Sequence, residues 1–284
     1  MKSVFHQLTR VGGRARNEDR AGYCRTARCS LLALADGMGG HPQGDLAAAI
    51  AVGAMARGFG QQARPSLDDP HGLLLDGILD GHRRLLRHAH RHRLTDTPRT
   101  TLVACVVQDD AAWWAHCGDS RLYLVRDGRL VARTRDHSFQ ELQASERRWG
   151  ALPPHVNRHV LYTCLGSPGL PRVDSHGPCP LQPGDRLLLC SDGLWSEVPD
   201  DEIVEALARL ALEDAMAMLV DLAISRGGPR GDNVTAVGMV WTPADAAGAD
   251  LTAAPAAGLL ESTFADDDLG PGDDPHDDFS GRTR

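Results

Sequence analysis

Apolar positions along this chain fall into two periodicities. Short apolar runs bounded by turn formers predict strands at Leu31–Ala35, Leu102–Val107, Trp113–His116, Arg121–Val125, Arg186–Cys190 and Val234–Val240. Longer stretches with an apolar residue every three or four positions predict helices at Asp45–Phe59, Leu73–His92 and Ser138–Trp149, and a pair between Asp200 and Ser225. The Asp127-Gly128 pair in "VRDGRL" suits a tight turn between antiparallel strands. In "VPDDEIVEALARL", Asp200 is placed to cap a helix, and Asp201 and Glu202 favour the positive end of its dipole. The alanine and glycine of Asp45–Phe59 let a helix approach a sheet closely. Hairpins combined with long helices predict an α+β sandwich rather than an alternating parallel sheet.

The strands share an ending. "LLALADGMGG" closes on Asp36, "RLLLCSDGLW" on Asp192, and "AHCGDSRLYLV" sets Asp119 between two strands. "GPRGDNVTAVGMV" sets Asp232 just before the last one, and "RARNEDR" adds Glu18 and Asp19 near the start. One Asp-Gly pair is an ordinary turn. Four acids beside glycine at strand ends are a different matter if the ends converge. Clustered carboxylates repel and raise one another's pKa, and divalent cations relieve that. An all-oxygen donor set favours Mg²⁺ or Mn²⁺ over zinc. The neighbouring glycines leave room for water and expose backbone carbonyls.

Composition narrows the class. The chain has 284 residues, and a 42% hydrophobic fraction is ordinary for a globular protein. No run approaches the roughly 18 apolar residues of a membrane span, and the N-terminus lacks the apolar core of a secretory signal. The seven cysteines are scattered with no CxxC pair, which points to buried thiols in a reducing cytoplasm. The formal net charge of −8 resides in the Ala/Gly/Pro/Asp-rich segment from Pro243 to Arg284. That segment is expected to be a disordered acidic tail behind a folded domain of residues 1–242. The neutral remainder offers no basic excess for nucleic acid.

In order and approximate spacing, "RARNEDR", "LADGMGG", "RTTLV", "HCGDSRLYL", "TRDHS", "LLLCSDGLW" and "GDNVT" resemble the metal-dependent protein serine/threonine phosphatases (type 2C, or PPM) in their bacterial branch. The resemblance covers roughly residues 5 to 240. It implies a four-layer α/β/β/α sandwich of two antiparallel sheets flanked by helices, with two Mn²⁺ or Mg²⁺ ions at one end. Asp36 then resembles the carboxylate bridging the ions, with the Gly37 carbonyl on one of them. Glu18 resembles the acid on the second ion, with Asp19 as its neighbour one shell out. Asp192 and Asp232 match ligands of the first ion, and Asn233 a residue that orients a ligand or water. Asp119 with Asp192 resembles a weaker third-ion site. Arg14 matches the phosphate-binding arginine, a role its forked guanidinium suits.

The implied activity is hydrolysis of phosphoserine and phosphothreonine by a metal-activated water, opposing a bacterial serine/threonine kinase in cytoplasmic signalling. The implied partners are phosphorylated proteins and a cognate kinase. The oligomeric state is not fixed by the sequence, and a monomer is the expectation. Three departures stand out: Met38 where some relatives carry histidine, Arg99 where glycine is usual, and a divergent loop over 138–157. His41 lies close to Met38, and a loop or supporting role is its expected place. In "HRRLLRHAHRH", His88 and His92 stand four apart, but a solvent-facing basic surface with Leu85 and Leu86 toward the core is the plainer reading. A non-catalytic binding module of the same fold is the alternative, and the complete set of acids weighs against it. A hydrolase using Ser120 or Ser191 is a third reading, but neither serine lies in a GxSxG elbow.

Overall fold

The structure is a computed structural model, and it describes residues 3–41, 43–145, 160–243 and 261–263. The chain opens with strands β1 (Val4–Arg10), β2 (Asp19–Arg25) and β3 (Cys29–Asp36), followed by helices α1 (Gly44–Gln62) and α2 (Pro70–His92). Next come β4 (Leu102–Gln108), β5 (Ala111–Cys117), β6 (Arg121–Arg126), β7 (Arg129–Arg133) and the short helix α3 (Phe139–Ser145). Then β8 (Asp174–Pro180), β9 (Arg186–Cys190), α4 (Asp192–Trp195), α5 (Asp200–Arg209), α6 (Leu212–Gly227) and β10 (Val234–Val240) complete the domain. A two-residue strand, β11 (Glu261–Ser262), follows from within the acidic segment.

The strands form two antiparallel sheets, ordered β1-β10-β9-β6-β7 and β11-β2-β3-β4-β5-β8. One core lies between them, where Leu32, Leu34, Val103, Leu122, Leu187 and Val237 interdigitate. Each such side chain contributes about 1.5–3 kcal/mol on full burial. A second core joins β2–β5 to α1 and α2, and a third joins β6, β9 and β10 to α4, α5 and α6. The four-layer α/β/β/α architecture implied by the motifs is therefore the architecture observed.

Local chemistry explains the element boundaries. Asp69 accepts the Gly72 N–H at 2.8 Å, with Pro70 in the first turn, and so starts α2. Arg93, left-handed at φ 53°, ends it behind His90, Arg91 and His92. Asp127 and Gly128, both at positive φ, make the two-residue turn between β6 and β7. Asp200, expected as a cap, is instead the first residue of α5, and Pro199 holds the cap position. Its carboxylate is taken by Tyr123 Oη at 2.8 Å and Arg133 at 3.0 Å, cationic and phenolic donors that outbid a backbone N–H.

The helix expected at Ser138–Trp149 is present as α3, and the rest of the 138–157 loop lies outside the described residues. So does most of the tail after Thr242. Within that tail Glu261 and Ser262 pair with Arg25 and Cys24, and Thr263 Oγ1 bonds Gln7. All seven cysteines are free thiols. Among the described residues no helix is long and apolar enough to cross a membrane.

Candidate metal centre

The strand ends do converge. Asp36 is the last residue of β3, and it stands in register opposite Asp19, the first residue of β2. Asp192 begins α4 directly after β9, Asp119 sits in the turn between β5 and β6, and Asp232 precedes β10. Glu18, Asp36, Asp119, Asp192 and Asp232 line one cleft of about 780 Å³, with Arg14 at its rim. Gly37 lines it too, where backbone packing excludes any side chain: a Cβ there would lie 2.2 Å from the Gly44 carbonyl oxygen.

Hydroxyls and an amide aim these acids. Thr101 Oγ1 accepts the Asp36 N–H at 3.0 Å, and the Thr100 hydroxyl donates to the Asp36 carbonyl at 2.8 Å. Ser191 donates to Asp19 Oδ2 at 2.8 Å. Asn233 accepts the Glu18 N–H at 2.8 Å and donates to the carbonyls of Val11 and Arg16, stapling the loop that carries Arg14 and Glu18 to the start of β10. Trp195 Nε1 donates to the Asp119 carbonyl at 3.0 Å. Arg14 donates to Asp232 Oδ2 at 2.6 Å.

Crowding leaves a clear electrostatic mark. Burial, and then the charge of Asp232, push Asp192 up to about 6. Burial pushes Asp19 up to about 7, against the bond from Ser191. Asp36 is held well above the carboxylate range by burial and by Asp19, and Asp119 by burial and by Asp192. Glu18 is raised by burial and by Asp45. Two buried oxygens, Asp19 Oδ1 and Asp192 Oδ1, have no hydrogen-bond partner. Mutually destabilised acids with orphaned oxygens fit hard divalent cations in donor type and charge. Among the described residues no three of these groups are already drawn into one coordination sphere.

Arg14, Glu18, Asp36, Gly37, Asp119, Asp192, Asp232 and Asn233 thus line one cleft, whereas Asp19 does not line it and is buried, bonded to Ser191. Met38 and His41 line it as well. His41 is shifted toward the neutral form by burial and then by Arg99. His88 does not line the cleft; it is bonded to Gln43 at 3.0 Å, and its ring lies tilted against His92 with centroids 4.4 Å apart. Ser120 and Ser191 are fully buried and bonded to Thr101 and Asp19, which removes them as nucleophiles. The residues that sequence reasoning missed are those that aim the acids. Thr100 and Thr101 stood in "RTTLV" and Trp195 in "SDGLW" with no role attached, because an orienting bond leaves no spacing pattern.

The model of the protein phosphatase 2C family matches residues 10–222. The serine/threonine protein phosphatase PstP of Mycobacterium tuberculosis is 34% identical over 235 residues, which cover 79% of this chain and 42% of that protein. The chain therefore spans less than half the length of that relative. The serine/threonine phosphatase stp of Listeria monocytogenes is 31% identical over 227 residues, 78% of this chain and 89% of that one. The solved catalytic domain of PstP in complex with 2 manganese ions superposes with a TM-score of 0.69 at 32% identity, covering 84% of this chain and 97% of that one.

Proposed function

This chain belongs to the protein phosphatase 2C family, and from that premise we propose that it is a divalent-metal-dependent protein serine/threonine phosphatase. One observation carries the reading: five carboxylates from separate strand ends share a cleft with an arginine at its rim. In this reading Asp36, the Gly37 carbonyl and Glu18 would hold one ion, Asp36, Asp192 and Asp232 would hold another, and Asp119 with Asp192 would hold a weaker third. Mn²⁺ or Mg²⁺ bound there would supply Lewis acidity that lowers the pKa of water and offsets charge on the phosphoryl group.

The chain's own contribution is placement. β3 is a buried post that fixes Asp36, and Thr100 and Thr101 fix its peptide. Arg14, exposed at the rim, can leave Asp232 and fork two phosphoryl oxygens. Gly40 has open space where a side chain would stand, which leaves a path for a phosphorylated segment. Residues 1–242 form the phosphatase domain in this reading, and 243–284 an acidic appendage. The substrates are phosphoproteins made by a serine/threonine kinase in the cytoplasm, and the working unit is a monomer.

The test is turnover of p-nitrophenyl phosphate and of a phosphothreonine peptide with Mn²⁺, with Mg²⁺ and with EDTA. Activity with metal that stops with chelator is expected. Undiminished turnover after metal stripping would overturn the reading. Metal binding without turnover of either substrate would favour the non-catalytic module.

A further inference from the structure

Asp119 sits on a turn that cannot hold itself. The residue before it, Gly118, has φ +109°, and a Cβ there would lie 2.6 Å from Thr101 Cγ2. No side chain can anchor that position, so its conformation depends on what binds its backbone. Both backbone groups go to one residue. The Gly118 N–H donates to His137 Nδ1 at 3.2 Å, and the Gly118 carbonyl accepts the His137 N–H at 3.0 Å.

The two residues before His137 hold the strands on either side of the turn. His116 Nε2 donates to the Arg135 carbonyl at 2.7 Å, on the β5 side. Asp136 takes two bonds from the Arg121 guanidinium, both 2.8 Å, on the β6 side. Three consecutive residues therefore clamp the turn that carries Asp119. Arg121 in turn lies 3.6 Å over the Trp195 ring, and Trp195 holds the Asp119 carbonyl.

The clamp dictates a protonation state. An imidazole nitrogen that accepts an N–H carries no proton, so the ring proton of His137 is on Nε2. Asp174 Oδ2 lies 3.5 Å from that nitrogen. The ring is 1% exposed and stacks on His116 at 4.5 Å. Burial, and then His116, push it down to about 4, so it is neutral at physiological pH. A protonated ring would face the Gly118 N–H with another N–H and lose the bond.

We propose that His137 is a positioning residue: as the neutral Nε2–H tautomer it fixes the Gly118 peptide and thereby aims the Asp119 carboxylate at Asp192 for the weakest of the metal sites. It does not line the cleft that holds the five carboxylates. The kinetic part of the inference rests on the phosphatase reading and the metal part on its third-ion site at Asp119 and Asp192, whereas the tautomer part rests on neither.

The experiment compares three full-length proteins. His137→Phe keeps a stacked ring but removes the acceptor, and His137→Asn returns an acceptor in its Oδ1. Calorimetric titration with Mn²⁺ alone is expected to show the weakest binding step of His137→Phe weakened by about tenfold or more, the usual effect of losing a group that orients a ligand. The tighter steps should stay within about twofold, and kcat should fall with KM little changed, since the lost interaction acts after binding. His137→Asn is expected to recover most of both. Nitrogen-15 spectra of the metal-free native protein should show His137 Nδ1 unprotonated and Nε2 protonated. An unchanged weak step in folded His137→Phe, or a proton on Nδ1, would overturn the proposal. If His137→Phe does not fold, the native tautomer and the weak-step affinity of His137→Asn decide it. If the native protein binds Mn²⁺ but turns over no phosphate ester, the phosphatase reading fails and the calorimetric test still stands.

Discussion

Arg14 and Asp232 neutralise each other across the rim of the cleft, guanidinium to carboxylate at 2.6 Å. The residue expected to grip phosphate is thus paired with one expected to grip metal. Their side chains are 54% and 37% exposed, so the pair is an exchangeable surface contact worth about 0.2–1 kcal/mol. A cation arriving at Asp232 displaces a weak partner, and the freed arginine is already beside the phosphoryl group it would bind.

Arg14→Ala should therefore have two opposite effects. Mn²⁺ binding should tighten by no more than about fivefold, because the competing pair is weak. KM for a phosphopeptide should rise by about tenfold or more, since a charge-assisted contact to phosphate is worth about 1.5–3 kcal/mol. Calorimetry and initial rates read the two separately. Metal affinity that falls in Arg14→Ala would show that the arginine supports the metal site rather than competing with it.

Asp192 is repelled by Asp232 and has a buried oxygen left unpaired. Asp192→Asn should lower kcat by about a hundredfold or more, a loss of about 2.7 kcal/mol of barrier lowering. The same variant should melt higher than the parent in EDTA at neutral pH, because a repulsive buried charge is gone. Near-normal kcat with metal bound would remove Asp192 from the centre of the reaction.

Much of this site was legible in the sequence because acids at the tips of core strands interrupt an apolar pattern abruptly. β3, β4, β9 and β10 read clearly, since nearly every position in them is buried. β1 and β8 did not, because each lies at a sheet edge with a largely exposed pattern and few apolar residues. Asp200 was misread for the opposite reason. A local rule for caps competed with Arg121, Arg133 and Tyr123, all distant in sequence. The His137 clamp was invisible on the same grounds: "TRDHS" shows an imidazole, and only the fold shows that Gly118 needs it.

Asp19 gives a pH signature with a definite sign. Its carboxyl is raised from an ordinary 3.8 to about 7 by burial. It therefore binds its proton more tightly folded than unfolded. Its stabilising contribution is complete below about pH 4 and is lost as pH rises through about 7. Asparagine mimics the protonated acid at every pH. In EDTA, Asp19→Asn and the parent should be close in stability at about pH 3, and the variant should gain on the parent as pH rises toward about 8. Denaturant midpoints across that range check it. A parent that gains on the variant with rising pH would mean that Asp19 is ionised and satisfied in the metal-free fold.

The segment after Thr242 touches the domain at one described place. Thr263 N–H donates to the Tyr23 carbonyl at 3.0 Å, and the Tyr23 N–H donates to Thr263 Oγ1 at 3.0 Å. β11 adds the pairing of Glu261 and Ser262 with Arg25 and Cys24 at the free edge of β2. Two-residue strands on a sheet edge contribute little, and β10 completes the other sheet without them. A chain ending at Thr242 should melt within about 4 °C of the full chain, which corresponds to roughly 1 kcal/mol for a domain of this size. Its kcat on a small phosphate ester should stay within about twofold, or ~0.4 kcal/mol of barrier. Amide exchange should still report the loss: Tyr23 N–H should become less protected, while Leu32 and Leu34 N–H, inside the sheet, should not change. If the acidic residues instead visit the cleft and compete with phosphate, truncation would raise kcat/KM, most of all at low ionic strength where attraction is least screened. A fall in melting temperature well beyond 4 °C would show that the segment packs on the domain as part of its fold, against its description as an appendage.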